Sequence, residues 1–163
     1  MATQEHVSRE FGTVEDNDLR LDVEKSEQII GALNQDLANV YVLYHQLKKH
    51  HWNVEGAEFR DLHLFLGEAA ENLEDAADEI AERAQALGGT PISGPAQQAE
   101  HASVDYEGQD IYDIRTSLEH DLDVYGDIIE ATRDHIELAE NLGDHATAQI
   151  MREILVQTEE DAH

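Results

Sequence analysis

Residues 23–51 read VEKSEQIIGALNQDLANVYVLYHQLKKHH, and the apolar positions Ile29, Ile30, Leu33, Leu37, Val40, Tyr41, Tyr44 and Leu47 are separated mainly by three and four residues. That is the α-helical period, so the stretch predicts one long amphipathic helix from Val23 to about His51 with a wide buried face. Asp22 is the expected N-cap, and Asn53 and Gly56 break the pattern.

Downstream, the same period returns three times. A second helix is expected from about Glu58 to Leu87, with Leu62, Phe65, Leu66, Ala69, Leu73, Ala76, Ala77, Ile80, Ala84 and Leu87 inward and Gly88-Gly89 and Pro91 as its stop. Its alanines permit close approach of a neighbouring helix. Residues 90–109 contain Pro91, Pro95, Gly94 and Gly108 and read as a long crossover, within which Ala96–Ala102 can form a short helix.

A crossover of that length can return the chain to the opposite end of a bundle and set the second and third long helices parallel. The third is expected over Asp110–Leu142, carrying Ile111, Ile114, Leu118, Leu122, Tyr125, Ile128, Ile129, Ile136 and Leu138, and closing at Gly143. Asp144 then caps a fourth, through Ala148, Ile150, Met151, Ile154 and Leu155, which meets no stop signal before His163 and is expected to continue. No strand pattern competes. The fold class is all-α, with residues 1–21 an N-terminal arm and 22–163 a single four-helix domain.

The 37 acidic residues against 10 lysines and arginines give a formal charge of -27. A surface of that charge repels itself unless salt screens it, or unless metal ions and partner subunits offset it, so a high-salt cytoplasm is expected. Binding a nucleic-acid duplex requires lysine and arginine to displace counterions, and Lys48-Lys49 is the one basic pair here, so direct DNA binding is disfavoured. With no cysteine, disulfides and thiolate chemistry are excluded. Met1 to Gly12 lack the regions of a signal peptide and no run approaches about 18 apolar residues, which predicts a cytoplasmic product without membrane association.

Carboxylates and imidazoles in such a chain are the ligands that iron accepts. Asp78 and Glu82, four apart, share one face of the second helix, although on composition alone such a pair is most often a solvated face. His63 precedes Asp78 by fifteen residues, a separation of more than about 20 Å along a helix axis. One metal ion, with ligand bonds of about 2 Å, cannot join them within one subunit. An antiparallel two-fold partner can bring its own His51 and His63 beside Asp78 and Glu82.

The run His51-Trp52-Asn53-Val54-Glu55-Gly56, then Phe59, Leu62 and His63, then Asp78, Glu82 and Arg83 before Leu87-Gly88-Gly89, resembles the Dps family of DNA-protection mini-ferritins, in the form found in halophilic archaea. The resemblance is dense from Asp36 to Gly89 and extends through the rest of the chain as helix pattern. It implies a ferritin-like four-helix bundle assembled as a hollow dodecamer built from two-fold dimers. It also implies a ferroxidase activity in which histidines matching His51 and His63 come from one subunit and carboxylates matching Asp78 and Glu82 from the other. The resemblance further implies ferrous iron as the substrate, peroxide as the preferred oxidant over dioxygen, and ferric mineral as the stored product, with no organic cofactor expected.

Another family ligand, usually an aspartate one turn after the second histidine, falls here on Gly67, so one iron subsite is expected either to be weaker or to use water or Glu71; Glu68 is rotated by about 100° from that position and Glu71 lies a turn farther on. Candidates for mineral nucleation are Glu68, Glu71, Glu74 and Asp75, with ordinary surface acids as the alternative. Asp144, Glu153 and Glu140 are candidates for lining an iron-admitting pore, where Gln149 replaces a commonly acidic position. Trp52 can intercept stray oxidising equivalents or serve as a structural aromatic. His45, His50, His120, His135 and His145 are read as surface or packing residues. The rival functions are an acidic structural shell with decayed metal chemistry, suggested by Gly67, and a DNA-compacting module, disfavoured because the first 20 residues hold only Arg9 and Arg20 as positive charges.

Overall fold

The computed structural model describes residues 4–163, which form four long helices, one short one and no strand among the described residues. The helices are α1 (Val23–Asn53), α2 (Phe59–Ala86), α3 (Pro95–His101), α4 (Ile114–Asn141) and α5 (His145–Ala162). No helix among the described residues is long and apolar enough to cross a membrane.

Side-chain pairs fix the helix directions. His51 meets His63 across α1 and α2; Asp36 meets His135 and His50 meets Asp121 across α1 and α4. Asn72 meets Asp161 and Arg83 meets Asp144 and Thr147 between α2 and the α5 region. Between α1 and α4 and between α2 and α5 one number rises as the other falls, and α1 and α2 meet at His51–His63 and again where Gly89 approaches Ile30, so α2 and α4 both run antiparallel to α1 and parallel to each other. The crossover delivers the chain to the opposite end, as its length implies.

Leu33, Leu37, Leu43 and Leu47 of α1 interlock with Leu66, Leu73, Ala77 and Ile80 of α2, Tyr125 and Ile128 of α4, and Met151 and Ile154 of α5. Each large apolar side chain buried in this way contributes about 1.5–3 kcal/mol. Ala69, Ala70, Ala76, Ala77 and Ala84 are all buried, which brings the α2 backbone close to its neighbours. Phe65 and Leu122, expected inward, are exposed, as is Ile111, which precedes α4. Phe65 and Leu122 lie at the edges of their apolar stripes, where the protomer offers nothing to cover them.

The start of the third long helix moves from Asp110 to Ile114. Asp113 is the true cap, its carboxylate accepting from the Thr116 amide at 2.9 Å, while the Asp110 carbonyl is taken by the Lys49 ammonium. Asp22 occupies the N-cap position of α1 without a side-chain capping bond.

Three amide side chains of α1 hold the crossover. Asn34 donates to the Thr90 carbonyl at 3.1 Å and accepts from the Ile92 amide at 2.9 Å. Asn39 accepts from the Ser103 amide at 2.8 Å, and Gln46 accepts from the Glu107 amide at 3.0 Å. The residues before α1 fold back on the α2 terminus: the Glu15 amide donates to the Gly88 carbonyl at 2.9 Å, and Arg9 donates to the Gly89 carbonyl at 2.7 Å. Gly88, at φ +94°, is required there, because a Cβ would lie 2.2 Å from the Glu15 carbonyl oxygen.

Candidate functional site

The last turn of α1 and the first turns of α2 face each other, and two imidazoles stack between them with centroids 3.8 Å apart and planes 15° apart. His51 Nδ1 donates to the His63 carbonyl at 2.6 Å, and His63 Nδ1 donates to the His51 carbonyl at 2.8 Å. A carbonyl oxygen only accepts, so each Nδ1 carries a hydrogen, and in the neutral ring this leaves Nε2 as the lone-pair atom, the arrangement in which histidine binds a metal. Phe59 stacks on the outer face of His63 at 5.0 Å.

The His51 ring lies over Gly67. A Cβ at that position would stand 3.0 Å from His51 Cε1 and 3.2 Å from Nδ1, closer than the ring tolerates without moving. Glycine in the middle of a helix is thus explained by the imidazole it accommodates.

Asp78 and Glu82 lie exposed on one face of α2, and Glu74 precedes Asp78 by one turn. Fifteen residues of helix separate His63 from Asp78, about 22 Å of axial rise, so one protomer presents a histidine pair and a carboxylate pair at two separate levels. Glu68, Glu71 and Asp75 are likewise exposed on α2. Asp75 shares a groove with Glu79, Glu153 and Asp161 of the α2–α5 face.

Asp144 is engaged elsewhere. Only 5% exposed, it caps α5 by accepting from the Thr147 amide at 3.0 Å and pairs with Arg83 at 2.9 Å. Glu140 is bridged by His145 and Arg152 on the surface. Trp52 is 69% exposed, with the Lys48 ammonium 6.0 Å from its ring centroid.

Next to His51, the chain builds a second, buried constellation that sequence reading passed over as packing. His50 Nδ1 meets Asp121 at 2.6 Å and its Nε2 meets Glu107 at 2.5 Å; Lys49 reaches the other Glu107 oxygen at 2.7 Å and Gln46 the other Asp121 oxygen at 2.9 Å. Burial alone would lower the His50 pKa, but hydrogen bonds and charge from Asp121 and Glu107 outweigh it and hold the ring as imidazolium. Burial would raise Glu107, yet Lys49 and His50 pull it below the usual carboxylate range. His50, Glu107 and Asp121 are the one trio among the described residues whose ligand atoms lie within 4.8 Å of one another, a donor set that iron accepts once the imidazolium proton leaves. Their separations of 57 and 71 residues leave no local spacing to read; the only cue was a polar pair, Lys49-His50, on a helix otherwise rich in apolar residues.

Residues 30–163 match the family model described as a ferritin-like domain. The chain is 66% identical over 164 residues to the DNA protection during starvation protein of Halobacterium salinarum, an alignment covering 100% of this chain and 90% of that relative. The crystal structure of an archaeal Dps homologue from Halobacterium salinarum superposes with a TM-score of 0.96 at 66% identity, over 99% of this chain and 91% of that one. The Dps protein of Vibrio cholerae O1, described as a member of a broad superfamily of ferritin-like diiron-carboxylate proteins, superposes with a TM-score of 0.86 at 30% identity, over 92% and 94% of the two chains.

Proposed function

Because the chain belongs to the Dps family of mini-ferritins within the ferritin-like superfamily, we propose that it oxidises ferrous iron with peroxide at centres shared between subunits and stores the ferric product inside a closed shell. The observation that carries this reading is the reciprocal His51–His63 lock, which engages both Nδ1 atoms and leaves the two Nε2 atoms as the available donors. Iron is the substrate. His51 and His63 of one protomer bind it as neutral donors, and Asp78 and Glu82 of a two-fold partner supply the two negative charges that favour the ferric state as it forms.

The antiparallel dimer answers the axial gap: the histidine level of one α1–α2 pair falls opposite the carboxylate level of the other. Trp52, Phe59, Leu64 and Phe65 are exposed apolar side chains bracketing the two histidines, a surface suited to burial against a second copy. Six such dimers form a dodecamer in this reading. Glu68, Glu71, Glu74 and Asp75 gather ferric ions for nucleation, and Glu153 lies among the acids available to draw cations toward the interior.

Hydrogen peroxide accepts two electrons and, with two protons, becomes two waters, so two ferrous ions are oxidised per peroxide. We place the reaction in the cytoplasm and assign no direct DNA contact to the residues preceding α1. Arg9, one of their two positive charges, is already paired with Glu15 at 2.9 Å and bound to the Gly89 carbonyl.

Subunit mixing tests the shared centre. His51→Ala and Asp78→Ala shells should each lose peroxide-dependent iron oxidation, while shells reassembled from equal amounts of both should regain roughly a quarter of the wild-type rate, because half of randomly paired dimers are mixed and each restores one of two centres. Full activity in either single variant, or none in the mixture, rejects the shared centre.

A further inference from the structure

The buried cluster beside the histidine lock converges on a single oxygen atom. His50 Nε2 stands 2.5 Å from Glu107 Oε1, and His120 Nδ1 approaches the same oxygen at 3.4 Å. The three residues belong to α1, the crossover and α4. Lys49 holds the other Glu107 oxygen at 2.7 Å, so Oε1 is the one left facing the two imidazoles.

His50 is also supported from behind. Its Nδ1 meets Asp121 at 2.6 Å, and the second Asp121 oxygen accepts from Gln46 at 2.9 Å. A carboxylate that takes the far N–H of an imidazole fixes the ring and makes the near nitrogen a better donor, the arrangement that stands behind metal-bound histidines. Asp121 is the orienting group here, because an ion at Nε2 lies across the ring from it.

The spacing suits a small cation. Two donors about 2.1 Å from a tetrahedral ion stand about 3.4 Å apart. The His120–Glu107 separation already has this value, and the His50–Glu107 separation has to open by about 1 Å. His120 is the member with room to turn: its side chain is 36% exposed, where those of His50 and Glu107 are each 4% exposed. Tyr112 lies edge-on to the His120 ring with centroids 5.0 Å apart, and with His50 it lines a cavity of about 340 Å³ from which solvent can supply a fourth ligand.

We propose that His50, Glu107 and His120 form a divalent-cation site of the zinc class, contained within one protomer and using neither His51 nor His63. Two imidazoles, one carboxylate oxygen and a solvent molecule make the four-coordinate set that zinc accepts. The ion takes the place of the hydrogen between His50 and Glu107, and so ties the crossover to both α1 and α4. The net charge of -27 adds a long-range attraction for cations.

Crystals of the assembled protein soaked in zinc chloride and measured on both sides of the zinc absorption edge should show an anomalous peak about 2.1 Å from His50 Nε2, Glu107 Oε1 and His120 Nδ1. His120→Asn alters a half-exposed side chain outside the apolar core; it should lose that peak and bind one zinc fewer per subunit in equilibrium dialysis, while zinc at His51 and His63 persists. A wild type without a peak among the three residues overturns the proposal, as does His120→Asn with the wild-type peak and stoichiometry. Both measurements are made without iron or peroxide, so they are independent of the ferroxidase reading; absence of zinc at His51 and His63 alone would count against the shared centre and not against this site.

Discussion

Gly67 serves as a floor for an imidazole, and its missing side chain is what allows the His51 ring to lie flat between the α2 backbone and His63. Gly67→Ala gains helix propensity of about 1 kcal/mol but places a methyl 3.0 Å from His51 Cε1, forcing the ring to tilt away from the His63 carbonyl. Ferrous affinity should fall about tenfold, the scale seen when a ligand loses its orienting partner, while the thermal midpoint holds or rises. Anaerobic titration calorimetry alongside a circular-dichroism melt reads the two effects separately, and undiminished affinity would mean that the lock does not orient the ligand. The same residue defined the limit of sequence reading. Its departure from the family pattern was visible at once, but the ring that fills the space was not, because His51 and Gly67 are neighbours only after α1 and α2 have packed.

Between helices, the His50 constellation joins α1, the crossover and α4 through one buried charge. The His50 pKa is raised above its ordinary 6.5, so its contribution to stability is complete below that value and disappears as pH climbs through the raised one. Glu107 is lowered from 4.5, so its contribution is complete above that value and disappears on acidification through the lowered one. His50→Gln leaves buried Asp121 without a cation and Glu107 with Lys49 alone, and should cost about 3–5 kcal/mol in the window between the two ordinary values. Urea unfolding of both proteins at about pH 6 and about pH 9 checks the sign: the gap should narrow at the higher pH, and an equal gap at both would show that His50 is not held as a cation. The long helices themselves were legible because a 3.6-residue period survives in the sequence of each, and Gly88-Gly89 ended α2 where expected. The start of α4 was not, since Asp110 and Asp113 are equally good caps on paper and only the pull of Lys49 on the Asp110 carbonyl decides between them. Glu107 and Asp121 were invisible as partners for the same reason: each belongs to an element whose own pattern says nothing about the other.

At the scale of the whole molecule, a net charge of -27 acts against compaction and against assembly of like subunits. Screening falls off slowly, with a Debye length of about 3 Å at 1 M salt and about 30 Å at 0.01 M. Lowering sodium chloride across that range should depress the thermal midpoint and release smaller species from the oligomer, as followed by scanning calorimetry and light scattering; a midpoint indifferent to salt would count against a surface tuned to brine. The amide side chains of Asn34, Asn39 and Gln46 carry a quieter implication. They grip the crossover main chain near residues 90–92, at 103 and at 107, so that segment is measured off against α1 like cloth against a tailor's rule. Surface connections usually tolerate a residue gained or lost, but here a single deletion between the grips would put every later one out of step and pull Glu107 from His50, making the apparent slack of the connection a fixed length.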